Sequence, residues 1–252
     1  MQVGLIGAGN MARALARGWR DPVLCADPLP GRAQALADEL GGEAPASNAE
    51  VADRADVVVL CHKPAQLDAV ARELGGRAKA VVSILGGRAL ADVEAAYPGV
   101  PVVRLMPNTA VEVGQGVIAY ARGERVDDEL DARLRELIGR LGRVVELDEG
   151  LIDVATGVNG VAPAYMALFV EAWIDAAVKH GLPPALASEL VLESAAGALA
   201  LLAAHEGDTL GVRRAVTSPG GVTAAGLAAL ERRDLRAALL DAMDAVVERY
   251  RS

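Results

Sequence analysis

With 252 residues, the chain is long enough to bury a sizeable core, either as one large domain or as a nucleotide-binding domain with a smaller companion. A formal net charge of -9 disfavours a broad electrostatic grip on nucleic acid or an anionic membrane surface, so the expected ligand is a small molecule. Hydrophobic residues make up 52% of the chain but aromatics only 3%, so the core is built mainly from Ala, Leu and Val, and no apolar run is expected to be long enough to cross a bilayer.

The first residues enter a strand-like run, Val3-Gly4-Leu5-Ile6, with no charged leader or cleavable apolar stretch, and a cytoplasmic protein is expected. Immediately afterwards comes Gly7-Ala8-Gly9-Asn10-Met11-Ala12, which fits G-x-G-x-x-G/A and leads into a helical stretch through Trp19. The first glycine permits the tight turn, the second lets a pyrophosphate approach the backbone, and Ala12 is small enough for the helix to pack on the strand. Unpaired N–H groups and the helix dipole would then face the phosphates. The position at a strand-to-helix junction gives this otherwise weak pattern its weight and predicts a bound NAD(P)H.

A second strand over Val23 to Ala26 ends at Asp27, twenty positions after Gly7. A carboxylate there can accept hydrogen bonds from the adenosine ribose hydroxyls and would repel a 2′-phosphate, which leans the choice towards NADH. Arg32 could compensate that charge, and Asp27-Pro28 is also a common plain turn.

Further apolar runs, Val57 to Leu60, Ala80 to Ile84 and Val102 to Met106, alternate with amphipathic helical stretches. Being apolar on consecutive residues, they are expected as strands covered by helices on both faces, which makes residues 1–147 a doubly wound α/β domain. Cys25 and Cys61 lie in such runs and are expected as reduced core thiols rather than a disulfide. Cys61-His62-Lys63-Pro64 follows one strand and Arg104-Leu105-Met106-Pro107-Asn108-Thr109 completes another, so both should reach the carboxyl edge where cofactors bind, or serve as capped turns.

Beyond Asp148 strand signals vanish, and residues 148–252 are expected to be all helical, with long helices over Pro163 to His180, Pro184 to Ala204 and Leu235 to Arg251. The run Ala195 to Ala204 has no polar face, so it needs cover on every side. A second subunit is the simplest cover, which predicts a homodimer; the alternative is a central helix wrapped by its own neighbours. His180 and His205 fall at helix ends, and no spacing in the chain suggests a metal site or a Ser-His-Asp or Cys-His arrangement. Ahead of a late helix, Thr217-Ser218-Pro219-Gly220-Gly221-Val222-Thr223 offers hydroxyls and backbone N–H groups suited to a carboxylate, or an ordinary helix cap.

With these stretches together, the chain resembles the pyrroline-5-carboxylate reductase family. The likeness runs nearly end to end: the Gly7 turn, Ser47-Asn48-Ala49-Glu50, Lys63-Pro64, Arg104 to Thr109, and above all Thr217 to Thr223 with Ala225-Gly226-Leu227 behind it. It implies an N-terminal Rossmann-type doubly wound sheet, an all-α C-terminal dimerisation domain, often a ring of dimers, and reduction of the cyclic imine 1-pyrroline-5-carboxylate to L-proline, the last step of proline biosynthesis. Carried over by position, Asn48 and Cys61 to Pro64 would line the ribose and nicotinamide side of the cofactor, with Met106, Pro107 and Asn108 beside the nicotinamide. Ser218 and the backbone around Gly220, Gly221, Val222 and Thr223 would hold the substrate carboxylate, and Thr223 would hydrogen-bond the ring nitrogen.

One departure stands out: where the family reads Ser-Gly-Ser-Gly-Pro-Ala-Tyr, this chain has Asn159-Gly160-Val161-Ala162-Pro163-Ala164-Tyr165. A six-membered homologue, a piperideine carboxylate, would suit the same layout, as would a non-catalytic NAD(P)-binding sensor that keeps the Gly7 turn without needing Thr223. A β-hydroxyacid dehydrogenase would resemble the layout too, but the stretch Tyr165 to Trp173 carries Glu171 and no lysine where those enzymes place theirs.

Overall fold

A computed structural model of the protein describes residues 1–251, without the Arg251 side chain. Two compact units divide it: residues 1–163 with 249–251, and residues 164–248.

In the first unit, strands and helices alternate: β1 (Val3–Ile6), α1 (Asn10–Trp19), β2 (Leu24–Ala26), α2 (Arg32–Leu40), α3 (Asn48–Arg54), β3 (Val57–Leu60), α4 (Leu67–Leu74), β4 (Val81–Ser83), α5 (Leu90–Ala96) and β5 (Val102–Met106). They are followed by β6 (Gly116–Arg122), α6 (Asp128–Gly139), β7 (Gly142–Glu146) and α7 (Ile152–Asn159). The seven strands form one sheet in the order β2-β1-β3-β4-β5-β6-β7. The first five are parallel, and each of them is fully buried because helices cover both faces.

β6 departs from the expected rhythm by pairing antiparallel with β5. Only residues 107–115 join the two strands, too few for the crossover that a parallel neighbour requires. Val3, Leu5, Val59, Val103 and Leu105 face one apolar layer with Leu15 and Trp19, whereas Ile6, Val58, Leu60 and Val81 face the other with Val51, Leu74 and Tyr97. Trp19 satisfies its indole by donating Nε1–H to the Leu137 carbonyl at 3.0 Å.

The first unit runs past residue 147 to Pro163, and a buried arginine explains the attachment. Arg104, 2% exposed, turns inward from β5 and pairs with Glu149 and Asp153, each at 2.6 Å. It therefore holds the segment entering α7 rather than reaching the strand edge, as a polar residue before Met106 was expected to do.

The second unit is helical, as expected: α8 (Ala162–Lys179), α9 (Pro184–Ala204), α10 (Thr209–Ala215), α11 (Val222–Arg232) and α12 (Leu235–Arg251), where the ends of α8 and α12 belong to the first unit. Among the described residues of this unit, only Ala187 and Val191 are buried. One expectation is corrected here. Glu149–Lys179 and Pro184–Ala204 are long and apolar enough, by length and composition, to cross a membrane. Their alanine and leucine content, which small-residue helix packing also demands, produces that property while Glu171, Asp175, Glu189 and Glu193 interrupt the two stretches.

Candidate active site

The parallel register aligns Ile6 with Leu60, Leu60 with Ser83, and Ser83 with Arg104, so the turns after β1, β3, β4 and β5 open along one carboxyl edge. Strand order reverses at β1, which has β2 on one side and β3 on the other, the place where open α/β sheets bind nucleotides. From β1 to β5 the edge is about 14 Å long at the usual strand spacing.

At Gly7 the chain has φ +104°, and an added Cβ would meet the Cys61 backbone at 2.9 Å, so both conformation and close approach demand glycine. Gly9 is the N-cap of α1, no side chain caps that terminus, and a Cβ built there finds no atom within 4 Å. The terminus is open space bordered by unspent N–H groups, which fits a pyrophosphate. Asn10 is exposed, Met11 packs its side chain towards the core, and Ala12 is fully buried beneath the helix.

Beside this turn lies a cleft of about 470 Å³ that includes Gly7, Asp27, Asn48 and His62 among its lining residues. Asp27 is not an idle turn residue: Oδ2 accepts the Ala8 N–H at 2.7 Å and Oδ1 accepts the Leu29 N–H at 2.8 Å. Asn48 opens α3, which Ser47 caps by accepting the Glu50 N–H, and its Nδ2 donates to Glu73 Oε2 at 2.5 Å.

His62 Nδ1 lies 2.9 Å from the Lys63 carbonyl, so Nδ1 carries the proton and Nε2 is left as a buried acceptor without a partner. Burial holds its pKa below the ordinary value of 6.5, against the opposing pull of the Lys63 carbonyl and Glu73. The sequence pattern missed Glu73. It stands one turn after Val70 on the face of α4 that borders the cleft, with Gln66 at the N-cap of that helix. The lining holds two carboxylates, Asp27 and Glu73, and no lysine or arginine.

Cys61, Lys63, Pro64, Met106 and Asn108 are not among the residues lining this cleft; the Cys61 backbone lies against the Gly7 turn, and Met106 and Asn108 lie at the end of β5. Burial pushes the Cys25 thiol up to about 12 and raises Cys61 as well, so both behave as apolar spacers, as expected of core thiols. Met106 and Asn108 are both buried at the end of β5.

The Ser218 loop is a separate feature of the helical unit. Thr217 Oγ1 donates to the Arg213 carbonyl at 2.6 Å, Gly220 has φ +70°, and the Gly221 N–H donates to the Ser218 carbonyl at 3.0 Å. The positive φ of Gly220 favours glycine there, whereas a Cβ at Gly221 would fall 2.3 Å from Ser218 Oγ and turn that hydroxyl aside. Gly221 is the N-cap of α11 and no side chain caps it; Val222 is 91% exposed and Thr223 half-buried in the first turn. The arrangement offers a hydroxyl and a free helix N-terminus to an anion.

Comparison with known proteins bears on both features. Residues 149–252 match the family model described as pyrroline-5-carboxylate reductase dimerisation, and residues 2–87 match that described as NADP oxidoreductase coenzyme F420-dependent. A pyrroline-5-carboxylate reductase of Synechocystis is 36% identical, with 99% of this chain and 97% of that protein covered. The 1-pyrroline-5-carboxylate reductase structure from Streptococcus pyogenes superposes with TM-score 0.90 at 29% identity, covering 99% of this chain and 98% of that one. The Plasmodium falciparum pyrroline carboxylate reductase structure, with NADP bound, gives 0.88 at 28% identity, with coverage of 99% and 97%.

Proposed function

The chain belongs to the pyrroline-5-carboxylate reductase family, and on that premise we propose that it reduces 1-pyrroline-5-carboxylate to L-proline with NADH as the preferred hydride donor. It is an NAD(P)-dependent oxidoreductase acting on a C=N bond, and its helical half carries the family's dimerisation domain. A cytoplasmic homodimer, able to assemble into a ring of dimers, is the form we assign to it.

The observation that carries the reading is that each unit holds an uncapped helix N-terminus beside a glycine in the left-handed region, Gly9 after Gly7 in the first and Gly221 after Gly220 in the second. Gly7 and Gly9, with the N–H groups of Asn10, Met11 and Ala12, receive the pyrophosphate. Asp27, Asn48 and the His62 acceptor serve the adenosine ribose, and Cys61, Lys63 and Pro64 continue the wall. Met106, Pro107 and Asn108 border the nicotinamide. Ser218 and the backbone of Gly220, Gly221, Val222 and Thr223 hold the substrate carboxylate.

The nicotinamide supplies a hydride to the C=N carbon, and the ring nitrogen becomes an amine. The chain's own groups orient the imine and manage one proton. Thr223, too weak an acid to protonate by itself, donates a hydrogen bond to the ring nitrogen; if the substrate arrives as an iminium, its role is orientation alone. The preference for NADH is supported by Asp27 and Glu73, which would repel a 2′-phosphate with no lysine or arginine in the lining to offset them.

Following NADH and NADPH oxidation separately, with 1-pyrroline-5-carboxylate and with its six-membered homologue, tests both choices. The expected result is the highest kcat/KM for the five-membered imine with NADH. A higher value with NADPH would remove the cofactor assignment, and a higher value with the six-membered ring would reassign the substrate.

A further inference from the structure

Two buried asparagines at the end of β5 form a closed hydrogen-bonded ring in the first unit. Asn159, the last residue of α7, is 8% exposed, and Asn108, two residues beyond β5, is 6% exposed. Asn159 spends both protons of its amide on main-chain carbonyls, that of Met106 at 2.8 Å and that of Val117 at 2.8 Å. Asn108 Nδ2 donates to the Asn159 carbonyl at 3.1 Å, and Asn108 Oδ1 accepts the Val117 N–H at 3.3 Å. The last paired residues of β5 and β6 are Met106 and Ala119, so the Asn159 amide bridges one carbonyl from each strand where their ladder stops.

The orientation of that amide follows from its surroundings. Turned over, its oxygen would face two carbonyl oxygens and two donors would be stranded. As it stands, Asn159 Oδ1 is buried without a partner, a cost that a side chain used only for filling would not carry. A serine here has one proton and a shorter reach, and could not bridge both carbonyls. A leucine or valine would leave both without a donor from this residue.

We propose that Asn159 is a positioning residue for hydride transfer, fixing the Met106-Pro107-Asn108 segment at the carboxyl edge so that the nicotinamide and the imine carbon meet at reacting distance. The inference rests on the reading that this segment borders the nicotinamide. Asn159 itself touches neither ligand. It acts through the Met106 carbonyl and through Asn108, and misplacing a reactive group by about 1 Å is enough to cost about 100-fold in rate.

The test uses the full-length protein and the variants Asn159→Ser, with one donor, and Asn159→Asp, which keeps the shape but offers no amide donor. Two readouts are compared: steady-state kinetics with protiated and 4-deuterated NADH, and amide hydrogen exchange over residues 105–118 without ligand. The expected result is faster exchange in both variants and a kcat at least about 10-fold lower in Asn159→Asp, with a smaller fall in Asn159→Ser. The deuterium isotope effect on kcat should rise as hydride transfer becomes limiting, while the NADH Kd stays within about two-fold.

An unchanged kcat and isotope effect, whatever the loss in Tm, would make Asn159 a structural residue only and overturn the proposal. Unchanged exchange would show that the ring does not clamp the segment, and would overturn it equally. Should Asn159→Asp fail to fold, Asn159→Ser decides both readouts. If the unsubstituted protein turned over no imine, the functional reading would fail, and the exchange comparison would still judge the clamp.

Discussion

The strands β1 to β5 of the first unit are buried along their whole length by helices of the same chain, whereas in the second unit only Ala187 and Val191, among the described residues, are withdrawn from solvent. Leu168, Leu192, Leu199 and Leu240 are each more than half exposed there. A sheet with helices on both faces closes its own core, and its loops are free to bind. Helices apolar on every side cannot do so, and exposed apolar surface of this extent marks an association face. The match of residues 149–252 to a dimerisation model identifies the cover as a second copy of the chain.

The comparison breaks most visibly on α9. Leu192 and Leu199 lie seven residues apart on one stripe, and changing both to lysine should abolish the dimer at micromolar concentration, because each unpaired charge in an apolar interface costs several kcal/mol. NADH binding by the first unit should persist, as followed by fluorescence beside light scattering. A dimer that survives would mean that this stripe is covered in some other way.

The reverse case is Gly9→Leu. It should weaken NADH binding by about 100-fold, or roughly 2.7 kcal/mol, while leaving the dimer intact, because the new side chain fills the space reserved for the pyrophosphate. Near-normal affinity by titration would remove the turn from the cofactor site. Thr223→Ala sharpens the division further: kcat should fall about 10-fold, the worth of one hydrogen bond, with the NADH Kd unchanged. Unaltered turnover would take Thr223 out of the mechanism.

The smallest expected effect concerns pH. His62 has a folded-state pKa below its ordinary value of 6.5 because burial penalises the charged ring. The unfolded chain therefore binds the proton more readily, so this contribution to stability is complete above pH 6.5 and is lost as pH falls through the lower folded value. His62→Gln should flatten that part of the Tm-against-pH curve. Identical slopes in both proteins would show that His62 does not titrate differently on folding.

Much of this division is legible in the sequence. The Gly7 turn stands at a strand-to-helix junction, and the long helices announce themselves by length and composition. Arg104 does not, because a charged residue within a strand gives no sign of whether it points to the edge or inward to Glu149 and Asp153. β6 escapes notice through its mixed composition, Gly116-Val117-Ile118-Ala119-Tyr120, and its direction depends on loop length rather than pattern. Glu73 looks like any exposed helix carboxylate until folding brings α4 beside Asn48. Asn159 is visible only as a departure from the family's serine, and its three carbonyl and amide partners lie more than forty residues away in sequence.

The most direct test follows the hydride itself. With 1-pyrroline-5-carboxylate and NADH carrying deuterium at the transferable position of nicotinamide C4, the product should be proline with one deuterium on the carbon that had been double-bonded to nitrogen, formed in equal amount to the NADH consumed. NADH bound but no labelled proline formed would contradict the claim that this chain is an imine reductase.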